Sequence, residues 1–190
     1  GNKRAAGRPR ALILAPTREL ALQIDRTVAL LAKAMKMNTC TVFGGVGQGP
    51  QVDAIRRGVD IVIACPGRLE DLIQQRHCQL DRVEVSVLDE ADHMADLGFL
   101  PGVKRIMDQT PRQGQRLLFS ATLDNGVDVL VKRYLTDPVV HSVDSAESPV
   151  PDMVHHVLHV AGGDKAAVVH TLSGGAGRTL LFTRTKHAAK

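Results

Sequence analysis

The sequence has few aromatic residues and few cysteines. Aromatic residues make up 3% of its 190 residues, with no Trp and one Tyr. A protein that grips single-stranded nucleic acid by stacking the bases needs more aromatic rings than this, so we expect any bound nucleic acid to be held by its sugar-phosphate backbone. The three cysteines, Cys40, Cys65 and Cys78, form no C-x-x-C pair. Their odd number and their spacing favour a reduced, cytoplasmic environment over a disulfide framework.

Long hydrophobic runs are also lacking. No apolar stretch approaches the ~18 residues that a membrane helix needs. Residues 1–10 carry charge without the apolar core of a secretory signal, so we expect no membrane partner. The composition is that of an ordinary globular protein, with 44% hydrophobic and 23% charged residues. The formal net charge of +4 is compatible with a polyanionic partner, although many basic proteins bind no nucleic acid.

Short apolar runs alternate with amphipathic stretches. The apolar runs are continuous, as expected for parallel strands that are buried on both faces. They lie at residues 11–15, 40–43, 61–64, 85–88, 117–119 and 139–143. This alternation predicts an open α/β sheet with right-handed crossovers.

Two amphipathic stretches are specific enough to predict which side chains are buried. The clearer one spans residues 17–36, where Leu20, Ile24, Leu31 and Met35 fall on one helical face. In the other, we expect Asp124 to cap a helix. The side chains that this second helix is predicted to bury are Val127, Leu130 and Val131.

The pattern divides the chain into two α/β parts. Residues 1–144 predict a first, incomplete domain, and the Ser- and Pro-rich residues 145–153 predict a linker. Residues 154–190 predict the beginning of a second unit. Its predicted elements are a strand at 155–160, a helix at 164–172 and a strand at 179–183.

Adjacent carboxylates, Asp89 and Glu90, come directly after the apolar run at residues 85–88. Carboxylates at such a place are costly unless a cation compensates them. A nucleotide-bound Mg²⁺ is the usual compensation: one carboxylate holds the metal, often through water, and its neighbour orients the water that attacks the γ-phosphate. The alternative is an acidic loop with solvated carboxylates. The position after a buried strand favours the nucleotide interpretation.

Asp89 to Asp92 spell D-E-A-D, and here the sequence resembles the DEAD-box ATP-dependent RNA helicases, of the bacterial type. Other segments match motifs of that family in the family's order. They are APTREL at residues 15–20, the Gly44-Gly45 doublet, PGRL at 66–69, SAT at 120–122 and LFTRTK at 181–186. The resemblance implies a RecA-like parallel sheet flanked by helices, followed by the start of a second RecA-like domain. It also implies ATP and Mg²⁺ as cofactors and RNA as the partner.

The resemblance assigns roles to individual residues. Asp89 would hold Mg²⁺ through water, and Glu90 would activate the attacking water. Asp92, Ser120 and Thr122 would couple the nucleotide site to RNA. The residues expected to contact RNA are Pro16, Thr17, Arg18, Gly44, Gly45, Pro66, Gly67 and Arg68.

The chemistry of these residues suits an RNA backbone. Thr17 begins a helix after a strand, where free N–H groups and the helix dipole favour a phosphate. The glycines let a ligand approach the backbone, and Arg68 can fork onto a phosphate. Such contacts read backbone and shape rather than base identity. Taken singly, Arg18 and Arg68 are equally compatible with surface arginines, and Ser120 and Thr122 with a turn capped by hydroxyls.

Three features depart from the family's pattern. No G-x-x-x-x-G-K-[ST] phosphate-binding loop occurs in the 190 residues, and later motifs of the second domain are missing. Cys65 also stands where the family usually has Thr, which puts one hydroxyl contact to RNA in doubt. We therefore expect an internal fragment of a helicase that hydrolyses ATP negligibly by itself and leaves a sheet edge exposed. The alternative is a truncated paralogue that binds RNA or a protein without ATPase activity.

Overall fold

The computed structural model describes residues 5–124, 126–142, 154, 156–161 and 163–183. The chain divides into two compact units, Gly1–Val139 and Val140–Lys190. The predicted linker at 145–153 lies outside the described residues, as does the Arg184-to-Lys186 part of the last motif. The domain boundaries proposed from the sequence therefore stay a prediction.

The first unit is built on a five-stranded parallel sheet in the order β2-β3-β1-β4-β5. Its strands are β1 (Ala11–Leu14), β2 (Thr39–Val42), β3 (Ile61–Ala64), β4 (Val85–Leu88) and β5 (Gln115–Leu118). The predicted parallel α/β sheet is confirmed, and each of these strands lies within two residues of its predicted bounds. β1 is central, since Ala11 pairs with Ile61 of β3 on one side and with Val85 of β4 on the other.

Helices cover both faces of this sheet. In the first unit they are α1 (Arg18–Ala34), α2 (Gly49–Arg57), α3 (Pro66–Gln74), α4 (Ala91–Asp96), α5 (Leu100–Met107) and α6 (Val127–Tyr134). α1 packs on the face that carries Ile13 and Ile63, and the other five pack on the face that carries Leu12 and Leu14. The second unit contains α7 (Lys165–Ser173). None of the described helices is both long and apolar enough to span a membrane.

The buried face of α1 differs from the predicted one. Leu20 and Ile24 are half-buried as predicted, but Leu31 is 67% exposed and Met35 is 70% exposed. The fully buried positions are alanines, Ala21 among them. At about 100° per residue, Leu31 is turned roughly 80° away from Ala21. Met35 is the C-cap, where the helix has already ended.

The start of α6 also differs from the prediction. Its N-cap is Gly126, with φ 89°, and not Asp124. Asp124 contributes its backbone carbonyl, which accepts a hydrogen bond from Val127 N at 3.0 Å. The predicted burial holds, because Val127 and Leu130 are fully buried and Val131 packs against the core half-buried.

Three predicted strands are absent from the residues that the structure describes. Residues 139–142, 156–160 and 179–183 have no regular structure. A strand needs a partner to satisfy its backbone groups, and none of these segments pairs with another described segment. The helix predicted at 164–172 is present as α7, although none of its residues is buried.

Candidate functional site

The carboxyl ends of the five parallel strands form one edge of the sheet, here called the carboxyl edge. The predicted site residues of the first unit lie in the segments after β1 to β5 at this edge or in the first turn of the next helix. Backbone hydrogen bonds continue past the strand ends: Ala15 N donates to Ala64 O at 2.9 Å, and Asp89 N donates to Leu14 O at 3.0 Å. These bonds hold the segments after β1, β3 and β4 side by side, so the fold brings the predicted residues to one edge.

Asp89 is half-buried at the end of β4. Burial raises the pKa of its carboxyl above the ordinary value. A hydrogen bond from Glu90 N–H to Asp89 Oδ1, at 2.9 Å, opposes this rise, and repulsion from the Glu90 carboxylate adds to it. A nearby cation would compensate the charge of the ionised, half-buried carboxylate. Such a need for a compensating cation is expected of a carboxylate that holds a metal.

Glu90 has an unusual backbone conformation. It is the N-cap of α4 with φ 48° and ψ 55°, in the left-handed region, where a non-glycine residue is strained. Its exposed carboxylate contacts a histidine, with Glu90 Oε2 at 3.1 Å from His93 Nδ1. His93 was not among the predicted site residues. The available signal was the i,i+3 spacing of an acid and a His on a short helix.

Asp92 is joined to the end of β5. Ser120 Oγ accepts a hydrogen bond from Asp92 N at 3.1 Å. Burial raises the pKa of the Asp92 carboxyl, but hydrogen bonds from the Ser120 hydroxyl and from nearby backbone N–H groups, including that of Thr122, bring the pKa below its usual range. Thr122 thus contributes a backbone N–H to the Asp92 carboxylate.

Thr17 and Arg18 open α1 directly after β1. Thr17 Oγ1 accepts a hydrogen bond from Leu20 N at 3.2 Å, so its hydroxyl is used as the helix cap. The preceding Pro16 is buried, and Arg18 is exposed. The Arg18 guanidinium lies 5.0 Å from the centroid of the Phe43 ring, a cation–π distance that fixes the charge beside the segment after β2.

After Phe43 that segment continues with the glycine doublet, and its residues 44–47 are called here the glycine loop. Gly44 and Gly45 are exposed, and Gly45 has φ 77°. A Cβ atom built on either residue, or on Gly67 in the first turn of α3, meets no heavy atom within 4 Å. The space above these backbones is open, as a ligand lying along the carboxyl edge requires.

Arg68 braces the glycine loop. Its side chain is only 15% exposed, and both terminal nitrogens donate to Val46 O at 3.1 Å. Asp71 lies at 4.0 Å from Arg68 Nε. The arginine fork predicted to bind a phosphate is thus directed at a backbone carbonyl in this structure. Arg68 lies two residues after the buried Pro66, the first residue of α3.

The acidic residues do not build a metal site by themselves. Among the described residues, no three His, Cys, Asp or Glu side chains converge on one point. The half-buried Asp89 carboxylate suits Mg²⁺ nevertheless, because this ion commonly takes one or two protein carboxylates and completes its shell with water and substrate phosphates.

A cavity of about 500 Å³ lies at the opposite edge of the sheet, around the amino ends of β1, β4 and β5. It is lined by Arg8, Arg10, Asp81 and Glu84 among others. These charges are already paired, with Arg8 at 2.8 Å from Asp81 and Arg10 at 2.9 Å from Glu84. None of the predicted site residues lines this cavity. We therefore place the candidate site at the carboxyl edge, where those residues lie.

Comparison with known proteins adds to this geometry. The family model described as DEAD/DEAH box helicase matches residues 2–130. A protein named ATP-dependent RNA helicase RhlB, from Pseudomonas syringae pv. tomato, is 42% identical over 189 residues, which cover 97% of this chain and 48% of that protein. The chloroplastic DEAD-box ATP-dependent RNA helicase 3A of Zea mays is 39% identical, covering 95% of this chain and 25% of that protein.

Solved structures show the same similarity. The crystal structure of a DEAD box protein from the hyperthermophile Methanococcus jannaschii matches with a TM-score of 0.64 at 35% identity, covering 68% of this chain and 35% of that chain. The yeast DEAD-box splicing factor Prp28 also matches with a TM-score of 0.64, at 33% identity, covering 67% of this chain and 31% of that chain. The chain spans somewhat less than half the length of the RhlB relatives that it matches.

Proposed function

The chain belongs to the DEAD/DEAH box helicase family, and on that premise we propose that the whole protein is an ATP-dependent RNA helicase. It would couple ATP hydrolysis to RNA binding and local duplex unwinding. One observation supports this above the others: the carboxylates after β4 are joined through Asp92 to Ser120 after β5. This link would carry a change at the acidic residues to a neighbouring strand end.

The acidic residues divide the work on ATP. Bound with ATP, Mg²⁺ would neutralise phosphate charge, and Asp89 would hold it, in keeping with a half-buried carboxylate whose pKa is raised until a cation is near. Glu90 would orient and deprotonate the attacking water. Its contact with His93 would help to orient the carboxylate for that role.

The segments after β1, β2 and β3 would form the RNA track. The first turn of α1, beside the Thr17 cap, and the exposed Arg18 suit one phosphate, and the open backbones of Gly44, Gly45 and Gly67 allow close approach. Pro16, Thr17, Pro66 and Arg68 would shape and brace this surface. These contacts would recognise the RNA backbone and its shape, so we expect little preference for the RNA sequence.

A second candidate is an RNA- or protein-binding protein without ATPase activity. This candidate concerns the 190 residues themselves, among which no G-x-x-x-x-G-K-[ST] loop occurs. That loop supplies much of the positioning and charge stabilisation in phosphoryl transfer. We therefore expect the 190-residue chain alone to hydrolyse ATP negligibly, and robust turnover by this chain would contradict the expectation.

The two candidates differ in one measurement on the whole protein. In RNA-stimulated ATP hydrolysis, we expect Glu90→Gln to lower kcat by about 100-fold or more while RNA binding persists. The exposed Asp53 on α2 provides the control, and Asp53→Asn should leave kcat unchanged. Turnover that is indifferent to Glu90→Gln would sink the proposed enzymatic role.

RNA binding by the chain itself can be tested by fluorescence anisotropy with an unstructured RNA. We expect weak binding that falls steeply as salt is raised, because phosphate contacts release counterions. Binding that survives high salt and discriminates between sequences would contradict a backbone-reading track.

The three free cysteines fit the reduced, cytoplasmic location that we also propose.

A further inference from the structure

We propose that Gln51 is a positioning residue of the RNA track. It fixes the backbone of Phe43 and, through the Phe43 ring, the guanidinium of Arg18. This inference rests on the proposed function for its RNA readout, whereas its structural readout stands apart from that function.

Gln51 is a polar side chain in the core. It lies on α2 with only 7% of its surface exposed. Its Nε2 donates to Phe43 O at 3.1 Å, and its Oε1 accepts from Phe43 N at 3.2 Å. The nitrogen and the oxygen of one side-chain amide therefore both form hydrogen bonds with the backbone of a single residue. A buried polar group needs such partners, and losing either side leaves the other unpaired.

The place of Phe43 explains why this contact matters. β2 is an edge strand of the described sheet, and its ladder with β3 ends where Cys65 N donates to Val42 O at 2.8 Å. Phe43 is the next residue, so the neighbouring strand no longer holds its N–H and C=O groups. The Gln51 amide takes over from the missing strand partner and extends the order of β2 by one residue.

The glycine loop comes directly after Phe43 and has the most permissive backbone at the carboxyl edge. Gly44 and Gly45 carry no side chain to restrict them, and a Cβ on either would meet open space. The contacts described above hold this loop at two points, Phe43 through Gln51 and Val46 through Arg68. Removing the first anchor leaves the two glycines next to a residue whose backbone groups have lost these partners, while its ring stays packed in the core.

Phe43 also reaches across to the segment after β1. Its ring lies under the Arg18 guanidinium, at 5.0 Å from centroid to Cζ. One buried amide therefore sets two parts of the proposed track at once: the entry to the glycine loop and the direction of the exposed arginine. Packing alone would be served by an apolar side chain of the same length, so the amide is the informative feature.

The RNA test is a double-mutant cycle on the 190-residue chain, with fluorescein-labelled oligouridine as the probe. Gln51→Met keeps the length of the side chain and removes the amide, and Phe43→Leu removes the ring. We expect each to weaken RNA binding by about 3- to 10-fold, and the double variant to be no weaker than the worse single one. Full additivity of the two losses would overturn the proposal.

A control separates positioning from loss of stability. Ile55 is fully buried on the same helix, and its apolar side chain makes no hydrogen bond to Phe43, so Ile55→Val should lower the urea midpoint without changing RNA affinity. If Gln51→Met also lowers the midpoint but leaves the affinity at the wild-type value, Gln51 is a structural residue only and the proposal is wrong.

A second readout needs no RNA. In hydrogen exchange and NMR of the same variants, Gln51→Met should speed exchange of the 44–47 amides and remove the ring-current shift of the Arg18 Nε–H signal. Ile55→Val should do neither. Unchanged signals would overturn the positioning role, whatever RNA does. If they change as expected while no variant, wild type included, binds RNA, the positioning role stands and the RNA track of the proposed function fails.

Discussion

At the scale of single residues, two helices of the first unit have an N-cap residue in the left-handed backbone region. The free-energy cost of that conformation differs between the two residues. Gly126, with φ 89°, opens α6, and Glu90, with φ 48°, opens α4. Glycine adopts this region freely, whereas another residue in this conformation destabilises the fold by roughly 1–2 kcal/mol. The strained backbone of Glu90 thus belongs to the residue proposed to activate water. At Gly126 the same backbone region causes little strain, because glycine has no Cβ atom.

Gly126→Ala is expected to reduce the free energy of unfolding by about 1–2 kcal/mol. The new Cβ would lie 2.8 Å from Leu100 Cδ1, in addition to the unfavourable φ. Urea unfolding measures the loss. The matched control is Gly49→Ala at the start of α2, where φ is not positive and a Cβ meets no atom within 4 Å. An equal loss in both variants would show that the left-handed conformation is not the cause.

Ser120→Ala is expected to raise the pKa of Asp92. In the folded protein the Ser120 hydroxyl helps to hold that pKa below its usual value, so the ionised carboxylate stabilises the fold above the unfolded-state pKa. This stabilisation is lost as pH falls through the folded-state pKa, and in Ser120→Ala the loss begins at higher pH. Carboxyl carbon NMR of Asp92 during an acid titration measures the change. Ser173→Ala, which alters hydrogen bonds within α7 only, should leave the titration as it is.

At the scale of elements, the sequence predicts best what burial on both sides dictates. The predicted bounds are identical to the observed ones for β3, whose four residues are all buried, and for β4, which has a neighbouring strand on each side. The parallel sheet flanked by helices and its RecA-like character are confirmed. The buried face of α1 differs from the predicted one, because apolar size points to Leu31 and Met35, whereas small alanines let the helix lie close to the sheet.

The candidate site shows the same division. The sequence motifs and the rule that ligands bind at carboxyl strand ends locate Asp89, Asp92 and Ser120 at one edge. His93 has only the i,i+3 spacing to Glu90 as a sequence signal, and the role of Gln51 depends on contacts that only the folded geometry defines. Gln51 reaches back eight residues from a helix to a strand end, and no periodicity indicates such a pair.

Thr17→Ala is expected to destabilise α1 by about 1 kcal/mol, because the Leu20 N–H loses its capping oxygen. Thr17→Ser keeps the oxygen and should retain most of the stability. The midpoints of urea unfolding compare the two variants directly. A serine variant as unstable as the alanine variant would mean that the methyl group of Thr17, and not its hydroxyl, holds the helix start.

At the scale of the whole molecule, the core that the described residues form lies in the first unit. Every buried residue among those described lies between residues 9 and 134. In the second unit the described apolar side chains are largely in contact with solvent, as for Val157 at 98% and Phe182 at 89% exposure. This explains why strands predicted there from apolar runs are not seen, since a run of apolar residues forms a strand only where a partner covers it.

Hydrogen exchange should therefore differ between the two units. We expect the amides of β1 and β3 to be protected up to global unfolding, and those of α7 to exchange close to intrinsic rates. A helix of 9 residues without a buried side chain has little beyond local hydrogen bonds to stabilise it. Protection of α7 equal to that of β3 would show that the second unit buries surface in solution.

The unequal burial of the three thiols has a practical consequence for spectroscopy. Burial raises the pKa of Cys40 to about 11 and that of Cys78 to about 12, so neither supplies much of the reactive thiolate. Burial raises the pKa of Cys65 as well, but this thiol is only half-buried, at the start of α3 beside Pro66. A maleimide dye should therefore attach to Cys65 first, placing a single fluorescent reporter next to the proposed track without any engineered substitution.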